Sequence, residues 1–170
     1  MAQLSEIYNQ RILELSANIE RTERLADADA SATAHSKLCG STISVDIKLA
    51  GERVSGFGQT VKACLLGQAA ASIMARNIVG SDARELREVG AAMRRMLKAG
   101  GPPPGGRWAD LAVLEPVRDY KARHASTLLV FDAVESALAD LESRHASERA
   151  APGRSQSDRQ AAEAEPCGTR

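Results

Sequence analysis

The chain has 170 residues, and its 22 basic and 22 acidic side chains give a formal net charge of zero. A chain of this length fits one domain whose core is large enough to fold without disulfides. Zero net charge excludes a strongly basic nucleic-acid-binding protein, and no apolar run is long enough to span a membrane. Charged residues interrupt the apolar pattern of the first 20 residues, so no secretory signal is visible and we expect a cytoplasmic protein.

The first predicted element is an amphipathic helix over residues 4–17, where large apolar residues recur at helical spacing and Ser5 occupies the N-cap position. Residues 26–35 are rich in Ala, Asp and Ser and fit either a loop or a weak edge strand. The clearest strand covers residues 42–49, where apolar and polar residues alternate. This alternation predicts one buried face and one solvent-exposed face, with Asp46 on the exposed face.

A hairpin and two helices are predicted from this strand onward. Residues 50–52 form the turn, and a second strand covers about residues 53–61. A helix with small inner residues begins near Cys64 and stops at Gly80. Ser81 is the expected N-cap of the next helix.

A run of Gly and Pro at residues 100–106 ends that helix. Trp108 and the apolar residues after it return to the core as a short helix or turn, and a last helix runs from about Arg118, or a later residue, to Arg144. We divide the chain into a domain, residues 1–145, and a tail, residues 146–170, which has no large apolar residue and is expected to be disordered. The order of elements predicts an α+β fold, with a small antiparallel sheet of about three strands packed against helices.

Three cysteines are too few, and odd in number, for a disulfide framework. Cys167 falls in the predicted tail, whereas Cys39 and Cys64 bracket the hairpin, which brings its two ends together. Their sulfurs can therefore lie within metal-bridging reach, although 25 positions separate them. Buried structural cysteines are common, and the spacing alone favours that interpretation.

The residues around both thiols resemble a known pattern, and this favours a functional role. Residues 38–45, Leu-Cys-Gly-Ser-Thr-Ile-Ser-Val, are similar to the Cys-Gly-Asp strand start of the U-type iron–sulfur cluster assembly scaffolds, the NifU/IscU/SufU family. Residues 62–74 resemble that family's second cysteine motif, in which the cysteine opens a helix of small residues. Residues 7–9 and 123–133 also fit, so the resemblance covers about residues 4–142 in the right order. The long connection with the Pro/Gly run is more similar to the SufU branch.

Two positions depart from the family pattern. The family's Asp, two residues after the first cysteine, is replaced by Ser41, whose neutral hydroxyl is a poor metal ligand. An ungapped match of the last helix places the third cysteine at Ser126, so this thiolate is absent. The histidine of IscU-type proteins falls on Ala125, one residue after His124. His124 could replace the missing thiolate, or it could be a helix-start residue bonded to the backbone.

The resemblance implies a scaffold or carrier that transiently binds iron or an iron–sulfur cluster, of which [2Fe–2S] is the expected type. Cys39 and Cys64 are then thiolate ligands or persulfide acceptors, Ser41 lines the site, and His124 is a third metal ligand. The implied partners are a cysteine desulfurase, which delivers sulfur as persulfide, and cluster-accepting proteins. Because a [2Fe–2S] cluster usually takes four protein donors, two chains could share one cluster as a homodimer. No nucleic-acid or membrane partner is implied.

Two other functions remain open. The missing Asp and third Cys favour an adaptor or regulator that keeps the fold, docks on the assembly machinery and binds no metal. A zinc-dependent sulfur acceptor of the SufU type ranks third, because a closed zinc site usually takes four ligands. We expect a protein that is not an enzyme, apart from a sulfurtransferase-like acceptance of sulfur. His35 is a weaker ligand candidate, and Lys62 is expected to be an exposed residue at a strand end.

Overall fold

The structure is a computed structural model, and it describes Ser5 and residues 8–151. The predicted beginning of the first helix at Leu4, and Cys167 with most of the predicted tail, lie outside the described residues. Within the described part, no helix is long and apolar enough to cross a bilayer.

Three antiparallel strands form one sheet in the order β1 (Ala30–His35), β2 (Thr42–Ala50) and β3 (Arg53–Lys62). The predicted hairpin is β2–β3, and the register pairs Thr42 with Lys62 at its open end. Residues 26–35, which fit either a loop or a weak edge strand, contain the edge strand β1. The predicted strands and the predicted antiparallel sheet are therefore confirmed.

Thr42, Ser44 and Lys48 on the polar face of β2 are partly exposed, but Asp46 on the same face is buried, so the prediction for Asp46 was wrong. Asp46 is fully buried, and its carboxylate accepts hydrogen bonds from the Arg24 guanidinium at 2.5 and 2.8 Å and from the Leu25 amide at 3.0 Å. The Ser31 hydroxyl of the neighbouring strand donates a fourth, at 2.5 Å. The strand period identifies the polar face, but it carries no information about the segment at residues 24–25 that covers Asp46.

Over residues 8–151, four α-helices and one 3-10 helix accompany the sheet. They are α1 (Gln10–Ala17), α2 (Leu65–Asn77), α3 (Ala83–Ala99), the 3-10 helix (Gly106–Asp119) and α4 (Lys121–Ala150). The last helix begins later than Arg118 and continues beyond Arg144, so it includes the first residues of the predicted tail.

The predicted first helix is interrupted at Tyr8 and Asn9, and Asn9 caps α1, because its side-chain oxygen accepts from the Ile12 amide at 3.0 Å. The predicted cap of α3 was wrong by one residue. Asp82 caps α3 in place of Ser81, and it accepts from the Glu85 amide at 2.8 Å. The two cap-forming residues are adjacent, and a sequence pattern does not decide between them.

Helix α4 is the centre of the packing, because it contacts β1, β2, α2 and α3. Its inner face supplies Phe131, Val134 and Leu138 to the core. Other fully buried side chains come from α1, β2, α2 and α3: Ile12, Leu15, Ile43, Ile47, Leu66, Ile73, Met74 and Met93. The observed α+β architecture agrees with the prediction, and it holds the beginning of α2 against the beginning of α4.

The 3-10 helix is attached to α3 through Glu85. Its carboxylate accepts from the Arg107 guanidinium at 2.8 and 2.7 Å and from the Trp108 indole at 2.9 Å. These donors lower the pKa of Glu85, Arg107 most strongly. The return of Trp108 to the core was predicted, whereas a 3-10 helix of 14 residues was not.

Candidate functional site

Cys39 lies in a tight loop between β1 and β2. The Ser36 amide donates to the Ser41 carbonyl at 2.8 Å, and the Gly40 amide donates back to the Ser36 carbonyl at 2.9 Å. Gly40 has φ +69°, a left-handed conformation that glycine adopts without steric cost. The loop therefore closes on itself and presents the exposed Cys39 beside the sheet.

Serine hydroxyls surround the sulfur of Cys39. Its Sγ lies 3.4 Å from Ser36 Oγ and 3.0 Å from Ser41 Oγ, and both serines are buried. Hydrogen bonds from Ser36 and then Ser41 lower the pKa of the Cys39 thiol to about 7, because hydroxyl donors stabilise the thiolate. A thiol with this pKa is about half ionised at pH 7, and the thiolate is the form that binds metals and attacks sulfur.

Cys64 is the N-cap residue of α2 and is half-buried. Its side chain does not cap the helix, and its thiol instead donates to Ser126 Oγ at 3.4 Å. The sequence predicted that Cys64 opens a helix of small residues, and the buried run Ala69–Ala71 on α2 confirms it.

Ser126 connects the two thiols. It is buried in the first turns of α4, where its hydroxyl donates to the Arg123 carbonyl at 3.1 Å and accepts from Cys64. The same hydroxyl also lowers the pKa of Cys39. Ser126 therefore contacts Cys64 and lies near Cys39, at the position where the sequence match places the absent third cysteine.

Gly67 allows this close approach of α2 to α4. A Cβ atom at this position would lie 3.0 Å from the Ser126 carbonyl oxygen and 2.8 Å from the Ala63 Cβ. Both distances are shorter than ordinary van der Waals contact, so a larger residue would push the two helices apart. Glycine therefore fixes the distance between the beginning of α2, which carries Cys64, and Ser126.

The site unites Cys39, Ser41, Cys64 and Ser126, which come from a loop and the beginnings of two helices. It offers two soft thiolate donors and two neutral hydroxyls. In the described part of the chain, no group of three or more His, Cys, Asp or Glu side chains is placed to hold a metal ion. The site is therefore short of strong ligands in a single chain.

His124 points away from this group. Its Nε2 bonds to the carbonyls of Val117 and Arg118 at 3.1 and 3.0 Å, and the ring is buried. Both positions 124 and 126 lie within α4, where they point about 200° apart at 100° per residue. The structure thus matches the backbone-bonded interpretation of His124, and its role as a ligand stays a prediction that requires the ring to turn away from both carbonyls.

His35 and Lys62 lie at the strand ends near the site, and Ser36 lies in the Cys39 loop. His35 is exposed on β1 and its Nδ1 bonds to Thr42 Oγ1 at 2.9 Å, while Lys62 is exposed at the end of β3. Sequence reasoning missed Ser36, which both closes the Cys39 loop and contacts the thiol. The signal available was a serine three residues before the cysteine and a glycine directly after it, a pattern typical of a tight turn.

Comparisons with known proteins place this arrangement in a family. A crystal structure of the N-terminal part of a nitrogen-fixing NifU-like protein from Brucella abortus is 55% identical in sequence, with a TM-score of 0.82. The match covers 84% of this chain and 99% of that one. A second structure, of a scaffold protein for the SUF system from Fervidobacterium islandicum AW-1, has a TM-score of 0.72. It is 19% identical over 80% of this chain and 99% of that one, so it supports the fold alone.

No protein-family model and no curated protein matches the chain. The similarity to the Brucella abortus protein is sufficient by itself to assign the family, because it extends over nearly the whole of that chain and more than half of the aligned residues are identical. The sequence resemblance and the fold agree with it. The chain therefore belongs to the NifU-like family of U-type scaffold proteins.

Proposed function

We propose that this protein is a scaffold or carrier in iron–sulfur cluster assembly, with iron and sulfide as its transient cargo at Cys39 and Cys64. The observation that carries the proposal is the convergence of these two thiols on the Ser126 hydroxyl. The family supports it, because solved relatives include a NifU-like protein and a scaffold of the SUF system. The role is one of binding and transfer, and no catalytic residue is assigned.

The exposed Cys39 is the side chain that a sulfur-delivering partner reaches first. Leu38 beside it is 79% exposed, and Leu65, next to Cys64, is 37% exposed. These apolar side chains next to the thiols suit docking of a protein partner, and we propose a cysteine desulfurase. The zero net charge also favours recognition by a local surface.

The number of ligands decides how firmly the cargo is held. Two thiolates are half of what a [2Fe–2S] cluster usually takes, and the hydroxyls of Ser41 and Ser126 are weak donors. We propose that two chains share one cluster, or that His124 contributes after giving up its carbonyl contacts. In either case the cluster is more labile than one held by three cysteines and an aspartate.

The two serines also support a second function, a metal-free adaptor of the assembly machinery. Ser41 and Ser126 replace the strong ligands and already bond within the protein. A zinc-dependent sulfur acceptor is less well supported, because Cys39 and Cys64 supply two of the four ligands of a closed zinc site.

Elemental analysis of the full chain, purified anaerobically, tests these functions against each other. Iron together with acid-labile sulfide is the expected result for a scaffold. Zinc close to one atom per chain would instead support the sulfur acceptor. Protein with free thiols and neither metal, before and after incubation with ferrous iron and sulfide, would support the adaptor and overturn the proposal.

A further inference from the structure

The two thiols differ in exposure, so that Cys39 is placed to receive sulfur from a partner and Cys64 is the less accessible thiol. Cys39 is exposed on its loop, whereas Cys64 is half-buried at the fixed beginning of α2. The Ser126 hydroxyl lies 3.4 Å from Cys64 Sγ and near Cys39. An external sulfur donor therefore meets Cys39 first, with Cys64 close by to react next.

The hairpin brings the chain segments that carry the two cysteines to the same end of the sheet. Thr42 and Lys62 are partners in the β2–β3 register, so the chain leaves both strand ends about 5 Å apart. Cys39 lies three residues before this pair, and Cys64 lies two residues after it. A disulfide takes Cα atoms about 4.4–6.8 Å apart, so a bond between the two sulfurs requires the exposed Cys39 loop to come within that distance of Cys64.

We propose that Cys64 resolves a persulfide carried on Cys39, so that the protein itself releases the sulfur as sulfide and retains a Cys39–Cys64 disulfide. This inference rests on the proposed function, because it takes a persulfide donor as the source of sulfur. It adds a reaction to the site: the two thiols supply the two electrons that turn sulfane sulfur into sulfide.

The atoms and electrons of the step balance. The Cys64 thiol loses its proton to solvent, and its sulfur attacks Sγ of Cys39. The Sγ–Sγ bond forms while the bond between Cys39 Sγ and the outer sulfur breaks, and the electron pair leaves with hydrosulfide. The outer sulfur is reduced and the two cysteine sulfurs are oxidised. A dithiol reductant from outside restores the thiols before another round.

The neighbouring hydroxyls of Ser41 and Ser126 do not compete in this reaction. An alcohol is not ionised near neutral pH and does not attack a persulfide, whereas a thiolate does. In the described part of the chain, Cys39 and Cys64 are the free cysteines, so a persulfide on Cys39 has a single resolving thiol nearby. Cys167 lies outside the described residues and is removed in the experiment.

The test uses the reduced full chain carrying Cys167→Ser, treated anaerobically with cysteine persulfide in a single turnover. Released sulfide is measured together with the intact mass of the protein and the linkage found after digestion. We expect one sulfide per chain and a Cys39–Cys64 disulfide. The Cys64→Ser variant, whose serine is a good helix cap, is expected to gain one sulfur atom on Cys39 and to release only background sulfide.

Ser143→Ala, which changes an exposed serine on α4 and keeps both thiols, is the matched control and is expected to release sulfide as the parent does. If the parent protein retains the persulfide on Cys39, as Cys64→Ser is expected to, the inference is overturned. The proposed function is then left intact. Equal sulfide from the parent and Cys64→Ser would also overturn the inference. If Cys39 accepts no sulfur in either protein, the inference and the sulfur-accepting part of the proposed function both fall.

Discussion

The thiol of Cys64 donates to the Ser126 hydroxyl at 3.4 Å, although 62 positions separate the two residues in the sequence. This contact joins the beginning of α2 to the beginning of α4. It places a serine where a third thiolate would complete the site.

Ser126→Cys should strengthen the retention of iron. The new thiol would lie beside Cys64 and face Cys39, giving three soft donors from one chain. We expect iron to be lost several-fold more slowly to a chelator after anaerobic reconstitution. Ser143→Cys, an exposed position on the same helix, is the matched control and should behave like the parent. Equal loss from both variants would argue against Ser126 as part of the site.

Gly67→Ala should destabilise the fold and disturb the site together. The added Cβ would lie 3.0 Å from the Ser126 carbonyl oxygen, so α2 and α4 must separate. We expect the free energy of unfolding, measured in urea, to fall by about 1–3 kcal/mol. The steric cost exceeds the gain of about 1 kcal/mol that alanine brings over glycine in a helix. Gly105→Ala, where a Cβ meets open space, should be close to neutral. A more stable Gly67→Ala protein would contradict the packing described.

The reactivity of Cys39 should follow its lowered pKa. Alkylation by iodoacetamide, followed peptide by peptide in mass spectrometry, should be half-maximal near pH 7. Ser36→Ala removes a hydroxyl that stabilises the thiolate, so the midpoint should move to higher pH. Thr33→Val, which removes a hydroxyl elsewhere on the same sheet, should leave the midpoint in place. An unchanged midpoint in Ser36→Ala would exclude that hydroxyl as the cause.

Asp46→Asn should destabilise the protein near neutral pH by about 1–3 kcal/mol. The substitution keeps the shape of the side chain but removes its charge, so the bonds to Arg24 are no longer charge-assisted. Arg24 lowers the pKa of Asp46, so the ionised carboxylate stabilises the fold above the ordinary pKa of Asp. That contribution is lost as pH falls through the lowered pKa. The stability difference between parent and variant should therefore shrink in acid.

A matched control for this prediction is Asp27→Asn, which removes the exposed partner of Lys48. Its effect should be smaller than that of Asp46→Asn, since solvent screens the pair. Equal effects of the two substitutions in urea unfolding at neutral pH would contradict the importance given to burial of Asp46.

His124→Gln separates the two roles considered for this residue. If the ring anchors the 3-10 helix through two carbonyls, the variant should lose about 1–2 kcal/mol of stability and keep its iron. Asn77→Ala, which removes a side-chain bond to a helix carbonyl elsewhere, is the control for a purely structural loss. Loss of iron from a fully stable His124→Gln protein would instead place His124 among the ligands.

The sequence was most informative where a local pattern has one structural outcome. The alternation of residues 42–49 predicts the strand, and the hairpin then predicts that Cys39 and Cys64 meet. The absence of a third thiol at Ser126 also follows from the sequence, because the ungapped match needs no knowledge of the fold. The structure adds that Ser126 lies against Cys64.

The features that were missed depend on long-range packing or on a choice among equivalent residues. Asp46 is buried because residues 24–25 lie across the sheet, and nothing near Asp46 in the sequence indicates it. The orientation of His124 depends on where α4 begins, which the sequence left open between Arg118 and later residues. Ser36 acquires its role only when the Cys39 loop closes.

The iron and acid-labile sulfide content of the reconstituted full chain tests the central claim most directly. The parent protein, Cys39→Ala and Cys64→Ala are reconstituted anaerobically with ferrous iron and sulfide, and Cys167→Ala serves as the matched control. The account predicts bound iron and sulfide in the parent and in Cys167→Ala, and loss of most of both from the other two variants. Equal iron in all four proteins would contradict the assignment of Cys39 and Cys64 as the residues that hold the cargo.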